Sequence, residues 1–259
     1  MAKKAVNTNL GDRFNLSILL WGAPGSGKTC FAGSYTKGPI HFYTADPQGT
    51  TVLRHVVGDN HHEVTEDVFT DAEHGPGKTY PAFWKQMQED EKNGVWKDLY
   101  EREGLLVIDS YTTMENYLVE YVAGKVLGKK QKEGGAFDIQ RQDWPTVSSY
   151  VLAFFKGISK IPCATVVICH EKSIQDGENA VFWRPTILGQ QAEAAPRWFS
   201  EFAHTSLNQN MGLILQVQGN PKTPASSRLF DSKKKRLINP TMDTFYKAFH
   251  GQGLDVKAE

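Results

Sequence analysis

Residues 14–30 read FNLSILLWGAPGSGKTC. The apolar run Leu16 to Trp21 stops where the glycines begin, and after a turn rich in glycine and proline the segment TCFAGSYT has the composition of a helix start. Gly22, Gly27, Lys28 and Thr29 fit the spacing G-x-x-x-x-G-K-[ST]. In such a loop the backbone N–H groups wrap phosphate oxygens, the lysine reaches the outer phosphates, and the hydroxyl binds Mg²⁺. The order strand, loop, helix is the context this chemistry needs, because the start of the helix attracts the anion. The nucleotide-binding residues expected from the motif are Gly22, Ala23, Pro24, Gly25, Ser26, Gly27, Lys28, Thr29 and Cys30. An ordinary glycine turn has no need of Lys and Thr at these two positions.

Working outward, 259 residues with 40% hydrophobic content are enough for one large core. The expectation is a single domain over residues 1–259, interrupted by a polar, acidic insertion at about 58–103. Twenty-nine basic and twenty-nine acidic residues cancel, so any nucleic-acid site must be local rather than a property of the whole surface. Charge is in fact unevenly spread: residues 58–103 hold twelve Asp or Glu against five Lys or Arg, and residues 222–236 hold six Lys or Arg against one Asp. Cys30, Cys163 and Cys169 show no C-x-x-C spacing, which reads as a reduced, cytosolic protein. Neither an apolar signal core nor a run of the ~20 apolar residues of a membrane helix is present, so no membrane partner is expected. His61 and His62, with His55 and His74 nearby, lack a second cluster at ligand spacing and read as surface residues.

Further along, PIHFYTADP gives a short strand, Ile40 to Tyr43, closed by turn residues. Residues 58–83 show no sustained period and read as irregular, and FWKQMQEDEKNGVWKDLYEREG reads as helical. GLLVIDS is then a buried parallel strand with an acid, Asp109, at its C-terminal edge, and YTTMENYLVEYVAGKVL has helical spacing. DWPTVSSYVLAFFKGISKI is the next helix, with Pro145 in its first turn, and CATVVICHEK another buried strand, ending in His170 and Glu171. A hairpin around Asp176 and Gly177, a helix over QAEAAPRWFSEF, and strands near Ala203 to Leu207 and Leu213 to Val217 follow. Alternating strands and helices with long crossovers predict an α/β fold: a mostly parallel central sheet with helices on both faces. Ligands of such sheets sit at the C-terminal strand ends, where the glycine loop, Asp46, Asp109 and His170 all fall.

The chemistry these residues suggest is triphosphate hydrolysis. Lys28 cradles phosphate, Thr29 and Asp109 hold the metal directly or through water, and Asp46 is placed to orient the attacking water.

At these residues the chain resembles the RecA-core P-loop ATPases: GAPGSGKT, a strand followed by an acid in FYTADP, LLVIDS, and a strand with a polar sensor in VVICHE. It is most similar to phage-encoded RecA-like ATPases of the single-strand annealing and recombination class, over roughly Asn15 to Pro240. That resemblance implies a RecA-like core using ATP and Mg²⁺, with catalytic roles for Lys28, Asp46, Asp109 and His170. One departure is Asp46, where the family usually carries Glu, one methylene longer. The resemblance further implies self-assembly into a ring or filament, with a cation from a neighbouring subunit completing each site. Lys234 and Arg236 match the K-x-R pattern for such a trans-acting finger. It also implies single-stranded DNA as a partner, with a single-stranded DNA-binding protein as a further one, in the cytoplasm of an infected bacterium. The facing loops are Lys129 to Gly135 and Lys172 to Thr186; Lys129, Lys130, Lys132 and Lys172 would bind phosphates, while Phe182, Trp183 and Arg184 would stack on bases. Two other readings remain: a nucleotide-gated helicase loader or assembly factor, and a P-loop kinase of nucleotides or small molecules.

Overall fold

The computed structural model describes residues 15–46, 49–53, 63–132, 137–175, 181–252 and 257–258. Its strands are β1 (Ser17–Gly22), β2 (Ile40–Thr44), β3 (Val64–Val68), β4 (Leu105–Asp109), β5 (Ala164–Gln175), β6 (Val181–Pro185), β7 (Glu201–Leu207), β8 (Leu213–Gln216), β9 (Ser226–Ser227), β10 (Arg236–Ile238) and β11 (Lys257–Ala258). All of β4 is buried, as expected of a strand covered on both faces. Leu105 and Val107 enter one core while Leu106 and Ile108 enter the other, the two-residue period of a strand. Each such side chain, once fully buried, contributes about 1.5–3 kcal/mol.

The sheet order is β11-β10-β8-β7-β1-β5-β4-β2-β3, with β6 on β5 and β9 on β7. From β7 to β3 the neighbours on this path pair in parallel, and β8, β10 and β11 then add antiparallel strands beyond β7. Helices lie on both faces, as the alternation predicts. α1 (Lys28–Gly33) packs on one face. α2 (Thr79–Asn93), α3 (Val95–Glu101), α4 (Tyr111–Tyr121) and α5 (Trp144–Ile158) cover the other. α6 (Met242–Phe249) returns to the α1 side through Met242 and Phe245.

Local chemistry sets several of these boundaries. Ser110 caps α4 by accepting from the Thr113 backbone N–H, and Pro145 sits in the first turn of α5, where its missing N–H costs nothing. α5 buries Val147, Val151, Phe154, Phe155 and Ile158. The spacing of these residues is that of one helical face.

Two expectations need correction. Residues 58–83 are not simply irregular: Val64–Val68 joins the sheet as a parallel edge strand, and Thr79 already begins α2. An edge strand half open to solvent tolerates Glu66 and Asp67, so it shows no apolar period. QAEAAPRWFSEF is not one helix but two short turns, Gln191–Ala194 and Ala195–Trp198, before β7 starts at Glu201. Pro196 falls where a continuing helix would need its N–H. The expected hairpin exists as β5 paired with β6, its turn residues Asp176 and Gly177 lying outside the described residues. Of the four histidines read as surface residues, His55, His61 and His62 also lie outside them, whereas His74 packs on Phe69 with ring centroids 5.8 Å apart.

Candidate nucleotide site

β1 delivers the chain to residues 23–27, the loop, and α1 leaves from Lys28. Gly25 and Gly27 have φ of 73° and 86°, a left-handed backbone that a side chain disfavours. Gly22 is required for a different reason, close approach. A Cβ there would lie 2.3 Å from Thr205 Oγ1 and 2.5 Å from the Thr205 carbonyl oxygen. Thr205 fixes the loop from β7: its Oγ1 is 2.6 Å from Ser26 Oγ and donates to the Trp21 carbonyl at 3.3 Å. Gly22→Ala is therefore expected to push β7 from the loop, costing about 1–3 kcal/mol by overpacking and weakening nucleotide binding. Chemical denaturation beside a nucleotide titration checks this, and an unchanged midpoint with unchanged affinity would refute it.

Lys28 is buried, and its Nζ donates to the carbonyls of Gly22 at 2.9 Å and Ala23 at 2.6 Å. Burial lowers its pKa, with Asp109 opposing. Thr29 Oγ1 donates to Asp109 Oδ2 at 2.6 Å, so a hydroxyl on α1 and a carboxylate at the end of β4 meet as two hard oxygens. Burial pushes the Asp109 carboxyl up to about 6, against the Thr29 hydrogen bond and the Lys28 charge. A buried carboxylate of raised pKa beside a hydroxyl is a donor set that a hard divalent cation suits. The close Gly22 cradle, the buried lysine and this oxygen pair together fit a Mg²⁺–nucleotide.

Asp46 follows β2 and is half-buried; its charge raises Asp109 and opposes the lowering of His170, which places it at the same end of the sheet. His170 lies opposite Gly22 on β5. Its backbone N–H donates to Thr112 Oγ1 at 2.9 Å, its Nδ1 is buried without a hydrogen-bond partner, and burial together with Lys28 lowers its pKa. Pro24 and Gly25 are exposed at the crest of the loop, Ala23 supplies a carbonyl, and Cys30 is half-buried in α1 with its thiol pushed up by burial.

Two functional features escape the sequence reading. Glu171 Oε2 and His204 Nε2 are 3.0 Å apart, joining β5 to β7 across β1, with the imidazole 4.2 Å from the Trp21 ring. Burial holds His204 below its ordinary pKa, while Glu171 opposes and Lys28 reinforces the shift. Thr205 under the loop is the second. The register of β1 against β7, Trp21 with His204 and Gly22 with Thr205, brings in His204 and Thr205, and that of β1 against β5 brings in Glu171 just past His170. Neither register is written in one strand alone.

The other expected residues have partners of their own or face solvent. Lys129 pairs with Asp143 at 2.7 Å and Lys132 with Asp138 at 2.6 Å, while Lys130 is exposed. Lys172 donates to the Ile187 carbonyl at 3.3 Å. Trp183 is 39% exposed, whereas Arg184 is fastened to the carbonyls of Trp183, Pro221 and Lys222 and stands 5.6 Å from the Phe182 ring centroid. Lys234 precedes β10 and exposed Arg236 opens it. Among the described residues no helix is long and apolar enough to cross a membrane.

No curated protein matches the chain at a significant level. The family model of the AAA domain matches residues 15–229, which take in β1 to β9 and the whole of the site; Lys234 and Arg236 lie beyond it. With the phosphate loop, the Thr29–Asp109 pair and the parallel sheet in place, the chain belongs to the AAA domain family of P-loop ATPases.

Proposed function

We propose that the protein couples ATP binding and hydrolysis to assembly on single-stranded DNA, and so promotes annealing and homologous recombination of phage DNA. The observation that carries this reading is β5. One continuous strand holds His170 and Glu171 beside the phosphate loop and, four residues later, forms the exposed hairpin bearing Ile174, Phe182 and Trp183. A change at the nucleotide site thus has a direct covalent route to a surface carrying an aromatic and basic residues.

Within the site each residue has a stated task. Bound Mg²⁺–ATP supplies the phosphoryl group and the charge to be stabilised. Lys28 would exchange its loop carbonyls for the outer phosphates, Thr29 and Asp109 would hold the metal, Asp46 would orient water, and His170 would report the outer phosphate to β5. Arg236 pairs with Gln216, which pairs with His204, which pairs with Trp21. Three strand spacings, about 14 Å, therefore separate it from its own loop, a placement suited to a neighbouring subunit's site rather than its own. Lys234 and Arg236 are the trans-acting pair of that assembly, ring or filament, and a single-stranded DNA-binding protein is a further partner.

Charge pairing divides the DNA-facing lysines. Lys129 and Lys132 already carry carboxylate partners, so Lys130→Glu should flatten the salt dependence of single-stranded DNA binding, by about 0.7 in the slope of log K against log salt for each phosphate the protein no longer neutralises. Trp183→Ala should instead weaken binding by about 1–3 kcal/mol per stacked base and leave the slope nearly constant. Titration with labelled oligonucleotide at several salt concentrations, with and without ATP, reads both. Absence of binding by the wild type at low salt in every nucleotide state would overturn the DNA reading and leave an ATPase acting on another partner.

A further inference from the structure

The acidic insertion is not absorbed by the nucleotide site, and it contributes two carboxylates to a second cluster. β2 and β3 pair with His41 opposite Thr65 and Tyr43 opposite Asp67, which puts His41 and Asp67 diagonally on one face of the sheet. α2 carries Asp90 over the same face, where Tyr43 donates a hydrogen bond to it. One donor atom from each of His41, Asp67 and Asp90 lies within 4.8 Å of the others.

The histidine is oriented by its other nitrogen. His41 Nδ1 is 2.8 Å from Thr65 Oγ1. With Nδ1–H donating to that oxygen, the lone pair resides on Nε2, which is buried, has no hydrogen-bond partner and approaches Asp67 Oδ2 at 3.4 Å without the alignment of a hydrogen bond. A lone pair facing two carboxylates is repelled unless a proton or a cation lies between them. A cation bound at Nε2 leaves the ring proton on Nδ1, where Thr65 Oγ1 accepts it. The 3.4 Å between Nε2 and Asp67 Oδ2 is the size of one ligand-to-ligand edge of a tetrahedral ion, about 3.3–3.4 Å for bonds of about 2.0–2.1 Å, and the Asp90 oxygen lies within 4.8 Å of both atoms.

The surroundings are those of a ligand set already held in place. Asp90 accepts from Tyr43 Oη and, at 2.9 Å, from Gln86 Nε2, and Tyr43 Oη in turn accepts from Trp96 Nε1 at 3.2 Å. Such outer hydrogen bonds fix the tautomer and the carboxylate orientation of metal ligands. The Asp67 side chain is 41% exposed, leaving an entry path and room for water as a fourth ligand.

We propose that His41, Asp67 and Asp90 bind one divalent transition-metal ion of the zinc class, clamping β2, the edge strand β3 and α2 together. One imidazole nitrogen with two carboxylate oxygens is a donor set that zinc accepts. The site is separate from Thr29 and Asp109: His41 is near the start of β2, whereas Asp109 is paired with Thr44 at its end.

The test uses untagged, chelator-stripped, nucleotide-free full-length protein titrated with zinc chloride by calorimetry, with cobalt(II) absorption reporting tetrahedral geometry. The wild type should take up one ion at this site and melt at a higher temperature with zinc than without. Asp67→Asn and His41→Gln should each weaken that uptake at least tenfold and remove the zinc-dependent rise in melting temperature. Asp109→Asn should keep both. Asp67 is partly exposed, so its amide variant is expected to fold, and an unchanged circular dichroism spectrum and ATP affinity verify that. No zinc uptake by the wild type, or equal uptake by wild type and Asp67→Asn, would overturn the proposal, because the ion would then be absent or bound elsewhere.

Discussion

Lys28→Ala will reduce ATP turnover by on the order of a hundred- to a thousandfold or more, the scale of losing one preorganised charge aimed at a developing negative centre. The structure adds a second expectation that separates this from misfolding. Lys28 Nζ is buried against the Gly22 and Ala23 carbonyls, and its charged form is disfavoured there by burial. Removing it takes a buried cation out of the loop and leaves the core side chains in place, so the nucleotide-free variant should unfold close to where the wild type does. Steady-state phosphate release and thermal melting measure the two effects. Normal turnover in a folded variant would remove Lys28 from the catalytic set.

The second large effect belongs to Asp109→Asn. The amide keeps the shape and can still accept from Thr29, but it lacks the charge that holds a hard cation. Mg²⁺-dependent hydrolysis should be lost while some nucleotide affinity remains. Stability should move the other way. The folded carboxyl titrates at about 6, above its value in an unfolded chain, about 3.9. Between these values the folded protein binds more protons than the unfolded one, so this group lowers stability as pH rises from about 4 to 6. The full cost is present above pH 6. Without nucleotide or metal, Asp109→Asn should therefore be more stable than wild type at pH 7.5, by about 3 kcal/mol, and lose that advantage near pH 4. Urea denaturation at the two pH values checks the sign. An equal midpoint for both proteins at pH 7.5 would place Asp109 in an ordinary solvated environment.

What can be read from the chain without coordinates depends on how local the cause is. The loop from Gly22 to Thr29 is visible because its chemistry is confined to consecutive residues, and β4 because burial on both faces leaves an uninterrupted apolar run. The helices α4 and α5 show themselves by spacing. By contrast β3 is an edge strand carrying Glu66 and Asp67, and its membership in the sheet is set by pairing with β2 rather than by its own pattern. The same holds at the site. Lys28, Thr29 and Asp109 follow from motifs, but Thr205, His204 and Glu171 reach the loop through strand register, and His41, Asp67 and Asp90 through a helix folding over two strands. Lys129 and Lys132 show the converse: a basic run looks free in sequence, and its carboxylate partners Asp143 and Asp138 come from further along the chain.

β5 runs for twelve residues, and ATVVICHEKSIQ contains neither glycine nor proline. Its first half is locked among β1 and β4, and its last four residues are exposed. No glycine or proline interrupts it between the nucleotide site and the hairpin, so a change of strand direction at His170 meets no built-in break before the tip. From His170 to Gln175 the strand extends about 17 Å. Each degree of tilt where it passes the phosphate loop would carry its tip about 0.3 Å sideways. The hairpin thus acts as a lever arm, and a small reorientation at the nucleotide site reaches its tip enlarged.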